Sequence, residues 1–267
     1  MRTLGYTLLI LCAFLTSQSY SKIVGETVEY KADGTALKGY IAYDDSIKGK
    51  RPGVIVVHEW WGLNDYVRKR ADMLAGLGYT ALAVDMYGDG KNSEHPEDAQ
   101  KFVTEVMNNM GIGEKRFNAA LALLKQQKTV NPEEIAAIGY CFGGAVVLHM
   151  ARTGADLDGV VSFHGNLSPM SNAPPDTVKT KILAFTGADD TFVPEEQVDA
   201  FKREMDAAHA DYEIVVYPGA KHSFTNPDSD RLGKENNLPI AYNKEADVRS
   251  WAQMQEFLKD VFKPGNN

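Results

Sequence analysis

The chain has 267 residues, of which 44% are apolar and 24% charged, and a single α/β domain can reach this size. Lys and Arg number 28 against 36 for Asp and Glu, so the formal net charge is −8. An acidic balance argues against a nucleic-acid partner, whose phosphates are bound by positive charge. The composition therefore predicts one compact domain that binds no nucleic acid.

The first residues differ in character from the rest of the chain. Arg2 is followed by an apolar run at residues 8–15 and then by small and polar residues. This order is typical of a secretory signal peptide, and the run is shorter than the roughly 20 residues that span a bilayer. We expect residues 1–21 to be removed and residues 22–267 to form an exported domain, periplasmic or secreted, without a stable membrane anchor. A lipid attached at Cys12, or an amphipathic first element of the fold, is the alternative.

Further along, short apolar runs alternate with longer segments of helical periodicity. Strands are predicted at residues 54–57, 81–84, 135–138, 159–163, 182–185 and 213–217. Helices are predicted at residues 64–78, 97–110, 114–127, 143–153, 195–209 and 246–262, and a loop at residues 225–243. This alternation favours an α/β fold with a mostly parallel central sheet flanked by helices on both faces. The functional site is then expected at the carboxyl ends of the strands.

One strand end carries a candidate nucleophile. The residues after the strand predicted at 135–138 read Gly139-Tyr140-Cys141-Phe142-Gly143-Gly144. In this G-x-nucleophile-x-G pattern the nucleophile stands on a strained turn between strand and helix, here with cysteine in the place of serine. Side chains at Gly139 and Gly143 would collide with the neighbouring strand and helix, and the helix N-terminus favours a thiolate. A Gly-rich turn around a buried core cysteine is the structural alternative.

Two later strand ends carry an acid and a histidine. Asp189 and Asp190 follow one predicted strand, and His222 follows the next. The order nucleophile, acid, histidine is the chain order of α/β-hydrolases. In this arrangement His222 pairs with the thiolate of Cys141 and later activates water, while Asp190 sets its tautomer and orientation. Asp189 competes with Asp190 for this role, although turn formation alone would explain it.

Together these motifs resemble the dienelactone hydrolase family over nearly all of residues 22–267. A further match lies in the segment Val57-His58-Glu59-Trp60-Trp61-Gly62-Leu63. The resemblance implies the α/β-hydrolase fold and, at Glu59, a carboxylate that interacts with the thiol of Cys141 and helps to generate the thiolate when substrate arrives. It also implies an oxyanion hole formed by the backbone N–H groups of Trp60 and Phe142. An exposed acid at a strand end is the other interpretation of Glu59.

Three further residues are expected to line the pocket. Tyr87 lies in a segment that resembles the family's tyrosine loop, and His164 ends a predicted strand. Asn226 stands where dienelactone hydrolases proper have an arginine that holds the substrate carboxylate. The substrate is therefore left open, and the loop at residues 225–243 is expected to rim the pocket.

The expected function is hydrolysis of a small-molecule ester or lactone through Cys141, His222 and Asp190, with a covalent acyl-enzyme intermediate. No cofactor is expected, and no metal either, because the His, Cys and carboxylate residues lack metal-ligand spacing. The chain is expected to be a monomer or a small homo-oligomer. The alternative is a protein that keeps the hydrolase fold but only binds a ligand or partner. A redox role is disfavoured because removal of residues 1–21 leaves Cys141 without a second cysteine.

Overall fold

The computed structural model describes residues 22–169 and 178–263. The predicted signal peptide and Cys12 lie outside these residues, so export, the boundary at residue 21 and lipid attachment stay predictions. None of the helices that the structure describes is long and apolar enough to cross a membrane.

The described strands form one eight-stranded sheet in the order β1-β2-β4-β3-β5-β6-β7-β8. Their bounds are β1 (Ile23–Ala32), β2 (Thr35–Asp44), β3 (Arg51–Val57), β4 (Thr80–Val84), β5 (Val130–Tyr140), β6 (Gly159–Phe163), β7 (Lys181–Gly187) and β8 (Tyr212–Tyr217). Strands β3 to β8 pair in parallel, whereas β1 with β2 and β2 with β4 pair antiparallel. The predicted mostly parallel sheet is confirmed.

Seven helices are present in the described part of the chain. Their bounds are α1 (Asp65–Gly76), α2 (Pro96–Met107), α3 (Met110–Lys125), α4 (Phe142–Arg152), α5 (Glu195–Ala207), α6 (Ser229–Asn236) and α7 (Lys244–Val261). The side chain of Asn64 caps α1 by accepting the N–H of Val67, which confirms the predicted start of that helix.

The sheet is covered on both faces because its strand side chains alternate in direction. In β3, Val54 and Val56 pack in a core with helices α1 and α7, whereas Ile55 and Val57 pack in a second core with α3, α4 and α5. The central strands are thus buried on both sides. Polar groups of the site are confined to the strand ends.

Two features depart from the prediction. The β1–β2 hairpin was not predicted, although its turn at Asp33 and Gly34, with φ of 54° and 79°, is a strong hairpin signal between alternating runs. The predicted loop at residues 225–243 contains helix α6, in which Leu232 is the one large apolar side chain, so the sequence offers no repeating apolar pattern there.

Candidate active site

Cys141 lies on the turn between β5 and α4, with φ of 51° and ψ of −113°. Its N–H lies within hydrogen-bond distance of the Phe163 carbonyl oxygen (2.9 Å) and of His164 Nδ1 (3.1 Å). A positive φ is costly for a residue other than glycine, so the surroundings must hold this conformation.

The flanking glycines explain how close the turn can come to its neighbours. A Cβ added to Gly139 would lie 2.1 Å from the Gly143 carbonyl oxygen at the start of α4. A Cβ added to Gly143 would lie 2.3 Å from the carbonyl oxygen of Val57 at the end of β3. The predicted collisions with helix and strand are therefore confirmed.

The acid and the histidine follow β7 and β8, and both reach Cys141. His222 Nδ1 lies 2.8 Å from Asp190 Oδ2, and His222 Nε2 lies 3.1 Å from Cys141 Sγ. Asp190 is buried and also accepts the N–H of Phe192 at 2.8 Å, whereas Asp189 is exposed. The acid that faces His222 is thus Asp190, and the three side chains form a continuous hydrogen-bonded chain.

The electrostatics of this chain favour a protonated imidazole. Burial alone lowers the pKa of His222, but the negative charges of Cys141 and Asp190 and their hydrogen bonds outweigh burial and raise that pKa to about 10. With the proton kept, Nδ1–H donates to Asp190 and Nε2–H donates to Cys141. The ring can then give a proton to a group bound beside Sγ.

Glu59 is packed against the loop that follows His222. It is buried, its Oε1 accepts a hydrogen bond from the Ser223 hydroxyl, and its Oε2 accepts one from Asn226 Nδ2 at 2.7 Å. Burial raises the pKa of Glu59, although these two hydrogen bonds oppose the rise. In this structure both carboxylate oxygens hold the loop after His222. The exposed-acid interpretation is wrong because Glu59 is buried, whereas its expected interaction with the thiol of Cys141 when substrate arrives stays a prediction.

Two backbone N–H groups beside Cys141 are free to bind a ligand. Phe142 is the first residue of α4, and Trp60 lies in the loop after β3; neither N–H has an acceptor among the described hydrogen bonds. The N–H of Gly143, by contrast, donates to the carbonyl oxygen of His58 at 3.0 Å. Trp60 and Phe142 both line the cavity that Cys141 faces.

That cavity has a volume of about 520 Å³. Its walls are formed mainly by apolar side chains, and Cys141 and His222 lie at its base. The lining residues are Trp60, Gln100, Val103, Met107, Cys141, Phe142, Ala145, Asn166, Phe192, Val193, His222, Leu238 and Ile240.

The three predicted pocket residues do not line this cavity; they lie behind its wall. Tyr87 is buried and its hydroxyl donates to the Trp60 carbonyl oxygen at 3.0 Å. His164 is fully buried, with Nε2 lying 2.7 Å from Thr225 Oγ1, and Asn226 is turned towards Glu59. Each of these buried polar groups forms a hydrogen bond inside the protein, as buried polar groups generally do.

One wall of the cavity is formed by residues of α2 that were not among the predicted site residues, Gln100, Val103 and Met107. They are separated from every motif in the sequence, and no local pattern marks them. Leu238 and Ile240 belong to residues 225–243, so the expected rim is confirmed in part. Within the described ranges, no group of three or more His, Cys, Asp or Glu side chains is placed to hold a metal.

Comparison with known proteins agrees with this geometry. The model of the "Dienelactone hydrolase family" matches residues 37–262. Protein usf of Aquifex pyrophilus is 31% identical over 233 residues, which cover 83% of this chain and 99% of that protein.

Solved structures are similar over most of the chain. The crystal structure of a dienelactone hydrolase-like promiscuous phosphotriesterase, P91 from metagenomic libraries, is 34% identical, with a TM-score of 0.86 over 90% of this chain and 99% of its own. A propionate-bound esterase of Thermogutta terrifontis, 20% identical, shares the fold with a TM-score of 0.58 over 89% of this chain and 94% of its own. The chain therefore has the α/β-hydrolase fold and is a hydrolase that belongs to the dienelactone hydrolase family.

Proposed function

We propose that this hydrolase cleaves an ester or lactone with Cys141 as the nucleophile, through a thioester intermediate. The observation that carries the proposal is the chain from Cys141 Sγ to His222 Nε2 (3.1 Å) and from His222 Nδ1 to Asp190 Oδ2 (2.8 Å). A nucleophile, a base within reach of it and an acid that orients the base are the requirements of covalent acyl transfer.

In the first half-reaction, the Cys141 thiolate adds to the carbonyl carbon of the substrate. The oxygen that becomes negative is held by the N–H groups of Trp60 and Phe142. When the C–O bond breaks, His222 Nε2–H gives its proton to the departing alkoxide. The products are an alcohol and an acyl group bound to Sγ as a thioester; from a lactone, the alcohol stays attached to the acyl group.

In the second half-reaction, the neutral His222 takes a proton from water while the water oxygen adds to the thioester carbonyl carbon. The new tetrahedral oxyanion uses the same two N–H groups. Its collapse breaks the C–S bond, releases the carboxylic acid and leaves the thiolate beside a protonated His222. Asp190 keeps Nδ1 protonated throughout, so Nε2 is the nitrogen that exchanges protons.

The test is hydrolysis of a panel of p-nitrophenyl esters and lactones by the purified protein, run beside Cys141→Ala and Cys141→Ser. We expect turnover by the wild type, loss of turnover in Cys141→Ala, and an acyl adduct on Cys141 detected by intact mass after rapid acid quench. Diethyl p-nitrophenyl phosphate belongs in the panel because the similar P91 structure is named as a phosphotriesterase.

No turnover across the panel, together with a Cys141 that iodoacetamide does not alkylate, would reject the proposal. The remaining interpretation would then be a binding protein on the hydrolase fold. Turnover that survives in Cys141→Ala would reject the thiol mechanism while keeping the hydrolase.

We also propose that the protein is exported and that residues 1–21 are cleaved. Support comes from the sequence alone, in the order of a basic residue, an apolar run and small polar residues. N-terminal sequencing of the protein from the fraction released by osmotic shock tests this, and a cytoplasmic chain that still begins at Met1 would contradict it.

A further inference from the structure

We infer that the acyl group this enzyme accepts is apolar and uncharged, and that acyl groups carrying a carboxylate are rejected. The inference rests on the proposed ester or lactone hydrolysis at Cys141 and adds the class of substrate. It is drawn from the composition of the cavity wall.

The described lining of the cavity offers no Lys or Arg side chain that would pair with a substrate carboxylate. Its polar side-chain groups beyond Cys141 and His222 are neutral, namely the amides of Gln100 and Asn166 and the indole N–H of Trp60. A buried carboxylate without a cationic partner is strongly disfavoured.

The protonated ring of His222 has no N–H group left to bind a substrate carboxylate. Its Nδ1 bonds Asp190 and its Nε2 bonds Cys141, at 2.8 Å and 3.1 Å. A carboxylate on the acyl group would have to break one of these hydrogen bonds, and with it the arrangement needed for attack. His222 therefore does not serve as an anion-binding residue.

Asn226 does not supply such a contact either. Its amide donates to Glu59 Oε2 at 2.7 Å, and its side chain is buried behind the wall of the cavity.

The wall is instead suited to alkyl or aryl groups. Trp60, Val103, Met107, Leu238 and Ile240 come from three separate segments and enclose the space above Cys141. Contact with these side chains removes apolar surface from water, so affinity should rise with the apolar area of the acyl group.

The test compares p-nitrophenyl hexanoate with the p-nitrophenyl monoester of adipic acid, which adds a terminal carboxylate to a chain of similar length. The leaving group is the same, so kcat/KM reports on the acyl group alone after spontaneous hydrolysis is subtracted. We expect the wild type to prefer hexanoate by about 100-fold or more, because a carboxylate that loses its hydration without a partner costs more than a neutral polar group does.

Gln100→Arg and Gln100→Met are the matched variants. Gln100 lines the cavity from the exposed side of α2, where its amide bonds only Thr104 Oγ1, so both variants are expected to fold. The arginine should reduce the preference for hexanoate by about 10-fold through pairing with the carboxylate, and the methionine should not.

Equal rates on the two esters, or a preference that Gln100→Arg leaves unchanged, would overturn the inference while ester hydrolysis stands. Cleavage of neither ester, with no acyl adduct on Cys141, would overturn the proposed function and the substrate assignment with it.

Discussion

The chemistry of the candidate site depends on where single protons and single backbone atoms lie. Cys141 is held at a φ of 51° by a backbone hydrogen bond and by close packing of two glycines. His222 is buried between two negative groups, so its ring behaves differently from a histidine in water.

We expect the His222 ring to stay protonated at neutral pH and to lose its proton only as the pH rises through about 10. The raised pKa means that the folded protein holds this proton over a pH range where a free histidine has lost it. In Cys141→Ala the pKa should fall, because the charge and hydrogen bond of Cys141 are removed while the burial that lowers the pKa remains.

Nitrogen-15 NMR of the ring measures this titration. His164 is an internal control, since burial, together with the positive charge of His222, holds its pKa well below its ordinary value. A His222 ring that is neutral at pH 7 in the wild type would contradict this prediction. It would show that the proton of the Cys141–His222 pair is not on the imidazole.

For the packing, Gly143→Ala is expected to lower the free energy of unfolding by about 3 kcal/mol and to reduce turnover. The added methyl group would lie 2.3 Å from the Val57 carbonyl oxygen, which belongs to the rigid end of β3. Gly76→Ala on α1 is the control, because no atom lies within 4 Å of its added Cβ. Urea unfolding should place that control within about 1 kcal/mol of the wild type.

At the scale of elements, the loop after His222 is held by residues from two other parts of the chain. Glu59 after β3 binds Ser223 and Asn226, and Arg70 of α1 donates to the Thr225 carbonyl oxygen at 2.7 Å. Ser223 has a positive φ of 60°, so the loop is strained where it leaves His222. Its position, and with it that of the imidazole, therefore depends on these partners.

Glu59 is also connected to the backbone of Cys141 through this loop. Thr225 Oγ1 lies 2.7 Å from His164 Nε2, and His164 Nδ1 accepts the N–H of Cys141. Since the imidazole of His164 is neutral, Nε2 carries its one proton and donates it to Thr225. One hydrogen-bonded network thus joins the elbow to the loop.

Asn226→Asp should destabilise this network by about 3 kcal/mol at neutral pH, because it places a second buried carboxylate against Glu59. Two such carboxylates raise each other's pKa, so the penalty is present at high pH and is relieved as falling pH adds a shared proton. Chemical unfolding at several pH values, together with kcat, measures both effects.

The double variant Glu59→Gln/Asn226→Asp provides the control, because it exchanges the amide and the carboxylate and restores their hydrogen bond. It should recover most of the lost stability. An Asn226→Asp protein as stable as the wild type at neutral pH would mean that Glu59 does not hold this loop.

At the scale of the whole molecule, the sheet gathers residues that are far apart in the chain. Cys141, Asp190 and His222 follow β5, β7 and β8, whose carboxyl ends share one edge of the sheet because these strands are parallel. The full sequence carries a formal net charge of −8. We expect this charge to repel an anionic substrate before it reaches the cavity.

Salt should reveal this repulsion. Raising the ionic strength from 0.01 M to 1 M shortens the Debye length from about 30 Å to about 3 Å. We expect kcat/KM for the adipate monoester to rise about threefold or more over this range, with little change for hexanoate. A parallel response of the two esters would point to a general effect of salt on the enzyme instead of charge repulsion.

Much of this arrangement was predictable from local sequence. The alternation of short apolar strands with helices predicted the parallel sheet, and the glycines around Cys141 predicted the elbow, since only glycine fits where backbones touch. The order of Cys141, Asp190 and His222 predicted their meeting, because parallel strands bring their ends together. Each of these signals lies within a few neighbouring residues.

Only the tertiary structure decided which partner each buried polar group takes and which side chains form the cavity. Glu59 binds Ser223 and Asn226, 164 and 167 residues further along the chain, and His164 turns away from the cavity to Thr225. The α2 wall likewise approaches Cys141 only through packing on the sheet. A buried polar atom must be satisfied by whatever donor or acceptor the fold places beside it, and that choice depends on distances in space that no local pattern of residues specifies.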